Sequence, residues 1–366
     1  MNLDFSEEQK SLQEELRRFL QRRGGIASAR DALEGRAPCA AALWRELGEA
    51  GWLAVALPER HGGQDLGHEM LCLVAEELGR SMSAVPFASS ICLVAEALLQ
   101  SGSDAQRERW LPELGAGRAV GAFAIAERAG PLHAASLGTR LVDGRLHGSK
   151  TGVSDGLLAD VLLVVALEGG EPRLCLVAAT AAGVTRSAQV GVDPSHAPAL
   201  VRFDGAVAEP LPARGWSAVQ SLLDRAAVLL AFEQIGVADA ALALSLDYAR
   251  QRVAFGRVIG GYQAIKHKLA DVWTANQLAR ANAYYAAYAL QSQPQALPLA
   301  AATARVAAGE ALERAARELI QVHGGIGVAW EHDAHLYYRR SQQLALQLGG
   351  LREWQDRLAT QLALTA

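Results

Sequence analysis

Residues 323–340 combine glycines with side chains that could bind a metal ion, in the run HGGIGVAWEHDAHLYYRR. The possible ligands are His323, Glu331, His332, Asp333 and His335. Tight sites for first-row metals usually present their ligands on one face of an element, as the two histidines of H-E-x-x-H do one helical turn apart. His332 and His335 are three residues apart, and neither H-E-x-x-H nor C-x-x-C frames them. We therefore predict the capped start of a helix rather than a metal site, and the glycines need another explanation.

A second run with catalytic residue types contains Asp193, Ser195 and His196. Neighbours in sequence rarely meet as nucleophile and base, so a polar loop is the favoured interpretation. No GxGxxG follows a predicted strand, and neither GxxxxGK[ST] nor GxSxG occurs. Nicotinamide binding on a Rossmann fold, P-loop chemistry and a hydrolase nucleophile elbow therefore lack support.

The composition is typical of a globular chain with more than one domain. Its 366 residues are 51% hydrophobic and 20% charged, which predicts two or three domains with a large core. The net charge of −4 comes without a block of basic residues, which argues against nucleic acid as a partner.

The cysteines and the apolar runs bear on the compartment. A chain of this size does not need disulfides, so its widely spaced cysteines predict buried thiols in a reducing compartment. These are Cys39, Cys72, Cys92 and Cys175. The start MNLDFSEEQK lacks the basic and apolar regions of a signal peptide, and the longest apolar run, at 161–167, is too short to cross a bilayer. We therefore expect a cytoplasmic protein without membrane insertion.

The elements that must position any site begin with helices. Residues 6–23 open with a capping-box pattern, Ser6 followed by Gln9, and then space leucines along one helical face. Further helical patterns end near glycine or proline. They cover residues 41–52, 71–81, 91–102 and 104–117. The first third is therefore predicted to be a helical domain.

The pattern changes near Val120 and again near Trp216. Short β-rich runs fill residues 120–213, and Asp143-Gly144 between two of them predicts a hairpin with a type I′ turn. Long apolar-faced helices then return. They are predicted at 216–251, at 262–291, at 299–322 just after Pro298, and within 331–366. The chain therefore predicts helices, a small antiparallel β domain, and a helical bundle.

Two stretches of the bundle resemble the acyl-CoA dehydrogenase family. They are YARQRVAFGRVIGGYQAIKHKLAD at 248–271 and QVHGGIG at 321–327. With the order of domains, the resemblance extends over nearly the whole chain. It implies a mixed α and β fold with an all-α domain (1–119), an antiparallel β-barrel-like domain (120–213) and a four-helix-bundle domain (214–366). It also implies FAD as cofactor, an acyl-CoA substrate, an electron-transferring flavoprotein as partner, and a tetramer.

The resemblance gives the bundle residues a role toward a neighbouring subunit's FAD. Arg252 would pair with the pyrophosphate, for which a forked, permanently charged guanidinium is suited. Phe255 and Gln263 would line the adenosine half, and the glycines would let the backbone approach the cofactor without a Cβ. The predicted cofactor-binding residues of the bundle are Arg252, Phe255, Gln263, Gln321, Gly324 and Gly325. This role explains the glycines of the opening run.

The catalytic base of the family is not where it is expected. A carboxylate must reach the α-proton of the acyl thioester. At the usual place the chain has Gly349, and at the place that some relatives use on the first bundle helix it has Ala226. The remaining candidates on that helix are Glu233 and Asp224. Glu233 could be a displaced base or a polar group at the floor of the acyl pocket, whereas Asp224 is also explained as an acid that the helix N-terminus stabilises.

The flavin-facing segments of the β domain also depart from the family pattern. The predicted contacts there are Ile125, Ala126 and Ser154. Ala126 replaces a threonine of the family, and Gly152 replaces a tryptophan that covers the flavin ring. Ser154 keeps a hydroxyl where flavin N5 would be met.

Two functional hypotheses follow. The first is an FAD-dependent acyl-CoA dehydrogenase with a relocated carboxylate, which forms trans-2-enoyl-CoA and passes electrons to an electron-transferring flavoprotein. The second is a non-catalytic subunit that completes the FAD site of a paralogue. The first implies a homotetramer and the second a heterotetramer. An oxidase that uses oxygen directly stays open beside the first hypothesis.

Overall fold

The computed structural model describes residues 4–23 and 25–365. Residues 1–3, 24 and 366, which the predicted domain ranges include, lie outside the described residues. The first segment is helical, with α1 (Glu7–Arg23), α2 (Gly25–Leu33), α3 (Ala41–Glu49), α4 (Gly67–Arg80), α5 (Phe87–Ser89), α6 (Glu96–Ser101) and α7 (Asp104–Gly115). A π-helical turn, Ser90–Ala95, joins α5 to α6. The backbone and side chains of Ser6 and Gln9 exchange hydrogen bonds of 2.8 and 3.1 Å, which confirms the predicted capping box.

The middle segment forms an eight-stranded sheet. Its strands are β1 (Gly121–Ala124), β2 (Arg140–Val142), β3 (Arg145–Val153), β4 (Val161–Glu168), β5 (Glu171–Ala178), β6 (Val184–Ala188), β7 (Ala199–Val207) and β8 (Glu209–Arg214). They lie in the order β6-β7-β3-β2-β4-β5-β8, with β1 also paired to β4. The pairs are antiparallel except that β1 and β2 run parallel to β4. Asp143 and Gly144 have φ of 49° and 73° between β2 and β3, so the predicted hairpin is confirmed.

The last segment is a helical bundle with one small hairpin. Its helices are α8 (Trp216–Gln251), α9 (Gln263–Ser292), α10 (Leu297–His323), α11 (Ala334–Leu346) and α12 (Leu351–Thr365). The hairpin consists of β9 (Val253–Ala254) and β10 (Arg257–Val258). Pro298 lies inside the first turn of α10 rather than just before it, where its missing N–H is tolerated. The predicted fold class, helices followed by a β domain and a helical bundle, is confirmed.

The chain folds into two compact units. The first contains Met1–Glu34, Cys72–Ser83 and Ala227–Ala366, and the second contains Gly35–Leu71 and Ala84–Ala226. The division falls within α4 and α8 rather than at the ends of elements. The domain ranges 1–119, 120–213 and 214–366 therefore stay a prediction.

In the first unit, α4 and α8 cross in direct backbone contact. A Cβ at Gly79 would lie 2.2 Å from the carbonyl oxygen of Glu233, and a Cβ at Gly236 would lie 2.0 Å from that of Glu76. Only glycine fits at such distances. Nearby, α9 and α10 pack through buried alanines, which let the two helices approach closely.

In the second unit, the sheet surrounds a buried apolar cluster. Strand β4 is central, and its residues from Val161 to Ala166 are fully buried on both faces. The cluster includes Ala122, Leu146, Leu162, Val177, Val201 and Phe203. A strand buried on both faces reads as a continuous apolar run, which explains the run that begins at Val161.

Helix α8 is the most apolar long element of the chain. It has the length and hydropathy of a membrane span, and 78% of its most apolar window is buried. A long helix that is apolar on most sides is typical of the core of a large protein. The absence of membrane insertion stays a prediction.

A buried ion cluster ties together three helices of the second unit. Glu96, which is 1% exposed, accepts hydrogen bonds from Arg225 and from His68, the latter at 2.8 Å. Burial alone would raise the pKa of Glu96, but His68 and Arg225 outweigh it and lower that pKa to about 2. The carboxylate therefore stabilises the fold through its charge.

Glu96→Gln should lower the free energy of unfolding by about 3 kcal/mol at neutral pH, since one pKa unit corresponds to about 1.4 kcal/mol. The pKa of Glu96 in the folded chain lies below its usual value of 4.5, so this stabilisation is complete above about pH 4.5 and is lost as the pH falls toward about 2. Urea denaturation at about pH 7 and about pH 4 measures the difference. The control is Glu113→Gln, which breaks an exposed 2.7 Å pair with Arg118. Equal losses in both variants would contradict a special role for Glu96.

Candidate functional site

The first bundle motif folds into a tight hairpin that exposes an aromatic ring. Phe255 and Gly256 connect β9 to β10 with φ of 53° and 79°, the left-handed region required by a type I′ turn. Phe255 is 96% exposed. The hydroxyl of Tyr262 donates to the carbonyl oxygens of Ala254 and Phe255 at 3.0 and 3.2 Å. A bulky residue held in the left-handed region is strained, and strain of this kind concentrates at functional positions.

The second bundle motif begins where α10 ends. Gly324 has φ of 62° at the end of this helix, and a short 3-10 helix, Gly324–Val328, follows. No atom lies within 4 Å of a Cβ built at Gly325, and no left-handed φ requires glycine there. The described part of the chain therefore gives no steric or conformational reason for glycine at 325, and the position is open to the approach of another molecule. Ile326 and Val328 beside it are 47% and 67% exposed.

Ring stacking brings the two motifs together at one end of the bundle. Tyr248, in the last turn of α8, stacks on His323 at a centroid distance of 4.1 Å. His323 donates from Nδ1 to the carbonyl oxygen of Leu319 at 2.8 Å, and burial lowers the pKa of its imidazole. His323 is therefore a neutral ring that packs between the motifs.

The acid and histidine residues that follow form a helix start, as predicted. The amide of Ala334 donates to Nδ1 of His332 at 3.1 Å where α11 begins. Asp333 accepts from Arg30 at 2.6 Å, and Nε2 of His335 donates to the carbonyl oxygen of Trp330 at 3.1 Å. Across residues 4–23 and 25–365, no group of three or more His, Cys, Asp or Glu side chains is arranged to hold a metal ion.

The remaining predicted contacts of the bundle are all accessible. Arg252 lies between α8 and β9, Gln263 is the first residue of α9, and Gln321 lies in the last turn of α10. The side chains of all three are exposed, as is the backbone of Gly324. Exposed cationic, amide and glycine positions at one end of the bundle can bind an extended anionic ligand supplied by another subunit. Their assignment to FAD stays a prediction.

The residue at the expected place of the base carries no carboxylate of its own, and the carboxylate of Glu353 lies beside it. Leu348 and Gly349 have successive φ values of 61° and 97°. A Cβ at Gly349 would lie 2.6 Å from Oε2 of Glu353, whose side chain folds back from the first turn of α12. Ala226, the second expected place, is 1% exposed. Any side chain at Gly349 would therefore have to displace Glu353 and adopt a strained φ.

Glu233 is engaged in the core of the first unit. It is 8% exposed and lies 3.7 Å from Arg340, which is completely buried. Burial lowers the pKa of the nearby Arg305 guanidinium to about 10, and the charge of Glu233 opposes this shift. A guanidinium beside a buried carboxylate compensates the charge of that carboxylate. The geometry favours a structural charge, while the catalytic assignment stays a prediction.

Asp224 is not an acid of the first helical turn. Helix α8 begins at Trp216 and has no acidic residue in its first turn. The dipole of a helix acts mainly within its first turn, so the explanation of Asp224 as a dipole-stabilised acid is wrong. Asp224 is instead 5% exposed in the body of the helix, and its assignment as a base stays a prediction.

A buried lysine organises the flavin-facing segments of the β domain. Nζ of Lys150 donates to the carbonyl oxygen of Ile125 at 3.0 Å and to the carboxylate of Glu127 at 2.7 Å. Burial lowers the pKa of Lys150, which has no exposed surface, whereas the ion pair opposes that shift. Glu127 also accepts from the amides of Gly138 and Thr139. The ion pair of Lys150 and Glu127 therefore fixes the position of the backbone carbonyl of Ile125.

The segment that should cover the flavin ring is satisfied within the chain. Gly152 has φ of 61°, and its amide donates to Oε1 of Gln189 at 2.7 Å. Nε2 of Gln189 donates to Oγ1 of Thr151 at 2.9 Å, and the amide of Thr151 donates to the carbonyl oxygen of Ala126 at 2.8 Å. Ser154 is half-buried. The predicted flavin-facing residues do lie on neighbouring segments, but their polar groups are largely engaged.

FAD, which the resemblance implies, fits one of the two surfaces. At the end of the bundle, open space at Gly324 and Gly325 and the exposed guanidinium of Arg252 suit a dinucleotide. On the β domain, Ala126 brings no hydroxyl and the amide of Gly152 is occupied. The residues at the end of the bundle therefore suit a dinucleotide, and those of the β domain suit a flavin ring less well.

The family is decided by two matches. Residues 6–118 match the family model of the acyl-CoA dehydrogenase N-terminal domain, and residues 213–359 match that of the C-terminal domain. The chain belongs to the acyl-CoA dehydrogenase family. Acyl-CoA dehydrogenase IpdE2 of Mycobacterium tuberculosis is 34% identical over 364 residues, 97% of this chain and 98% of that protein.

Two solved assemblies contain chains that are similar to this one over almost its whole length. One is the ChsE4–ChsE5 complex from Mycobacterium tuberculosis, with 27% identity, a TM-score of 0.90 and 99% of both chains covered. The other is a variant of the Tcur3481–Tcur3483 steroid ACAD, with 30% identity, a TM-score of 0.88 and 98% of both chains covered. Membership of the acyl-CoA dehydrogenase family implies oxidoreductase chemistry, and the family is associated with FAD.

Sequence reasoning missed several residues that shape these surfaces. Gln189 and Arg340 are distant in sequence from the groups that they contact, so no local sequence pattern predicts these contacts. Arg30 donates to the carbonyl oxygen of Trp330 and to Asp333 from a helix, α2, that was not predicted. The available signal was an acid on an apolar helix: Glu233, when buried, requires a basic partner somewhere in the chain.

Arg252→Ala should weaken the retention of flavin by the assembly that contains it. A charge-assisted hydrogen bond contributes about 1.5–3 kcal/mol, so the dissociation constant should rise about ten- to hundredfold. Flavin released during gel filtration measures the effect. The matched control is Arg250→Ala, which removes a 72% exposed guanidinium 3.6 Å from Asp247. Full occupancy after the change at 252 would refute the cofactor assignment.

Proposed function

We propose that this chain is one of two different subunits of an FAD-dependent acyl-CoA dehydrogenase. Its bundle completes the FAD site of a paralogous chain, and the paralogue supplies the catalytic base. The assembly converts an acyl-CoA thioester to trans-2-enoyl-CoA. The observation that carries the proposal is an asymmetry: the surface toward a neighbour's dinucleotide is exposed and built, while the chain's own base and flavin face are missing or occupied.

The missing base is the stronger half of this asymmetry. Neither Gly349 nor Ala226 can take a proton, and a side chain at position 349 would have to move the carboxylate of Glu353 and adopt a strained φ. Glu233 pairs with Arg340 inside the bundle. A chain in this condition needs a carboxylate from elsewhere to remove the α-proton of a thioester.

In this proposal the two chains have different roles: this chain helps to bind FAD, and the paralogue supplies the catalytic base. FAD, when bound, accepts the β-hydrogen of the substrate as hydride. The residues of this chain bind and orient: Arg252 neutralises the pyrophosphate, Phe255 covers the adenosine half, and Gly324 with Gly325 lets the backbone come close. The α-proton moves to the carboxylate of the partner. Orientation of this kind contributes to rate by holding the reacting groups in a productive geometry.

The similar solved assemblies support a mixed composition and a substrate class. Both carry two component names, ChsE4–ChsE5 and Tcur3481–Tcur3483, and the second is described as a steroid ACAD. We infer a heterotetramer that acts on the CoA thioester of a bulky, steroid-like acyl group. An electron-transferring flavoprotein as electron acceptor and a cytoplasmic location belong to the same proposal.

A second candidate function is a homotetramer that is active alone. The retained pair of Glu127 and Lys150 and the hydroxyl of Ser154 favour it, because they preserve part of the scaffold of the flavin face. Its base would be Glu233 or Asp224.

The lone purified chain should bind little flavin, and acyl-CoA should not bleach what it binds. Activity should appear when a paralogue with the missing glutamate is co-expressed. Anaerobic titration of both preparations with steroid-derived and straight-chain acyl-CoAs, followed by flavin absorbance, checks this. Rapid bleaching in the lone chain would eliminate the subunit proposal in favour of the homotetramer.

Glu233→Gln separates a structural from a catalytic carboxylate. In the mixed assembly we expect the rate of flavin reduction to change by less than about threefold, while the free energy of unfolding falls by about 3 kcal/mol, because Arg340 loses its buried partner. Asp224→Asn is the parallel variant. A rate that falls by about 10²–10⁴ with flavin still bound would instead identify the changed residue as the general base.

A further inference from the structure

The carboxamide of Gln189 presents its hydrogen-bonding edge to the segment that would face a flavin ring. Its oxygen accepts from the amide of Gly152 at 2.7 Å, and its nitrogen donates to the hydroxyl oxygen of Thr151 at 2.9 Å. The same hydroxyl also lies 3.2 Å from the Gln189 oxygen. The oxygen of the carboxamide therefore accepts from a backbone amide, and its nitrogen, on the same carbon, donates to a side-chain hydroxyl.

This edge has the same chemistry as one edge of a flavin. The imide of the isoalloxazine ring carries a carbonyl oxygen next to an N–H, which is the acceptor and donor pair that a primary carboxamide also offers. A flavin that placed this edge on the amide at 152 and the hydroxyl at 151 would find both already bound to Gln189. The side chain thus competes with the ring for the same partners.

The position of Gln189 is fixed by the sheet rather than by chance. It follows directly after β6, and its own amide donates to the carbonyl oxygen of Pro198 at 2.9 Å, just before β7. Strand β7 pairs with β6 on one side and with β3 on the other, so the end of β6 and the segment 150–153 are held near each other.

The backbone around Gly152 has adapted to this contact. The register of β3 against β7 shifts between Lys150 and Val153, and Gly152 in between has φ of 61°. A tryptophan at this φ would be strained, although the space beside Gly152 is open. The loss of the ring-covering side chain and the gain of the Gln189 contact therefore belong to one local conformation.

We propose that Gln189 is a specificity-determining residue that closes the flavin face of this chain by bonding to Gly152 and Thr151 in place of the imide edge of the ring. The inference rests on the proposed function, in which the flavin ring lies on the β domain of the paralogue. The inference identifies the Gln189 carboxamide as the group that prevents flavin from binding to the β domain of this chain.

Titration of the lone full-length chain with FAD, followed by quenching of flavin fluorescence, tests the closure. Gln189→Ala should raise the association constant about tenfold, because the two hydrogen bonds that compete with the flavin are removed. Gln189→Glu keeps an acceptor for the amide of Gly152 and should bind FAD as weakly as the wild type. The matched control is Gln64→Ala, which removes a glutamine that donates to the carbonyl oxygen of Gly51 at 3.2 Å in the same unit.

The proposal is overturned if Gln189→Ala binds FAD no better than the wild type, or if all three variants gain equally. It is also overturned if the wild-type lone chain binds one FAD per chain. Thermal melting of the variants checks that each is folded. A mixed assembly without activity would contradict the proposed function. It would leave the FAD affinities of the Gln189 variants unaffected, so a failure of the proposed function can be told apart from a failure of this inference.

Discussion

The crossing of α4 and α8 leaves no space for a side chain at two points. Gly79 faces the carbonyl oxygen of Glu233, and Gly236 faces that of Glu76, each at a distance that no Cβ could occupy. The two backbones are therefore in direct contact, and interiors packed at this density transmit displacement rather than absorb it. The position of the middle of α8 is consequently fixed, and with it the direction in which every acid near the crossing can point.

Arginines of α4, α9 and α11 stabilise the acids at the crossing. Glu76 accepts from Arg80 at 2.6 Å and from Arg280 at 3.0 Å, and Glu233 lies beside Arg340. A buried carboxylate without such a partner would be strongly destabilising. The same cost makes a buried acid look functional in the sequence, since only the folded chain shows that the partner exists. This is why Glu233 attracts a catalytic interpretation that its surroundings do not favour.

The sequence predicted what local patterns encode. Capping at Ser6, the hairpin at Asp143-Gly144 and the long helix 216–251 depend on neighbours within a few residues, and the structure confirms each. The parallel pairing of β1 and β2 with β4 depends on crossovers that no short window contains. Likewise the motifs around Arg252 and Gly324 were found as sequences, while their meeting through Tyr248 and His323 is a property of the packed bundle.

The two positions where this chain departs most from its family share a physical feature. Gly349 and Gly152 both have positive φ, and each has a side chain of the same chain placed where the family's residue or ligand would act: Glu353 over Gly349 and Gln189 on Gly152. Restoring a side chain at either position would require a strained backbone, and at Gly349 it would also displace the end of the Glu353 side chain. A single substitution at either position therefore meets a backbone that disfavours it. In the proposed function another chain supplies the base and the flavin face, and the exposed hairpin and glycine turn at the end of the bundle form the surface that this chain offers to it.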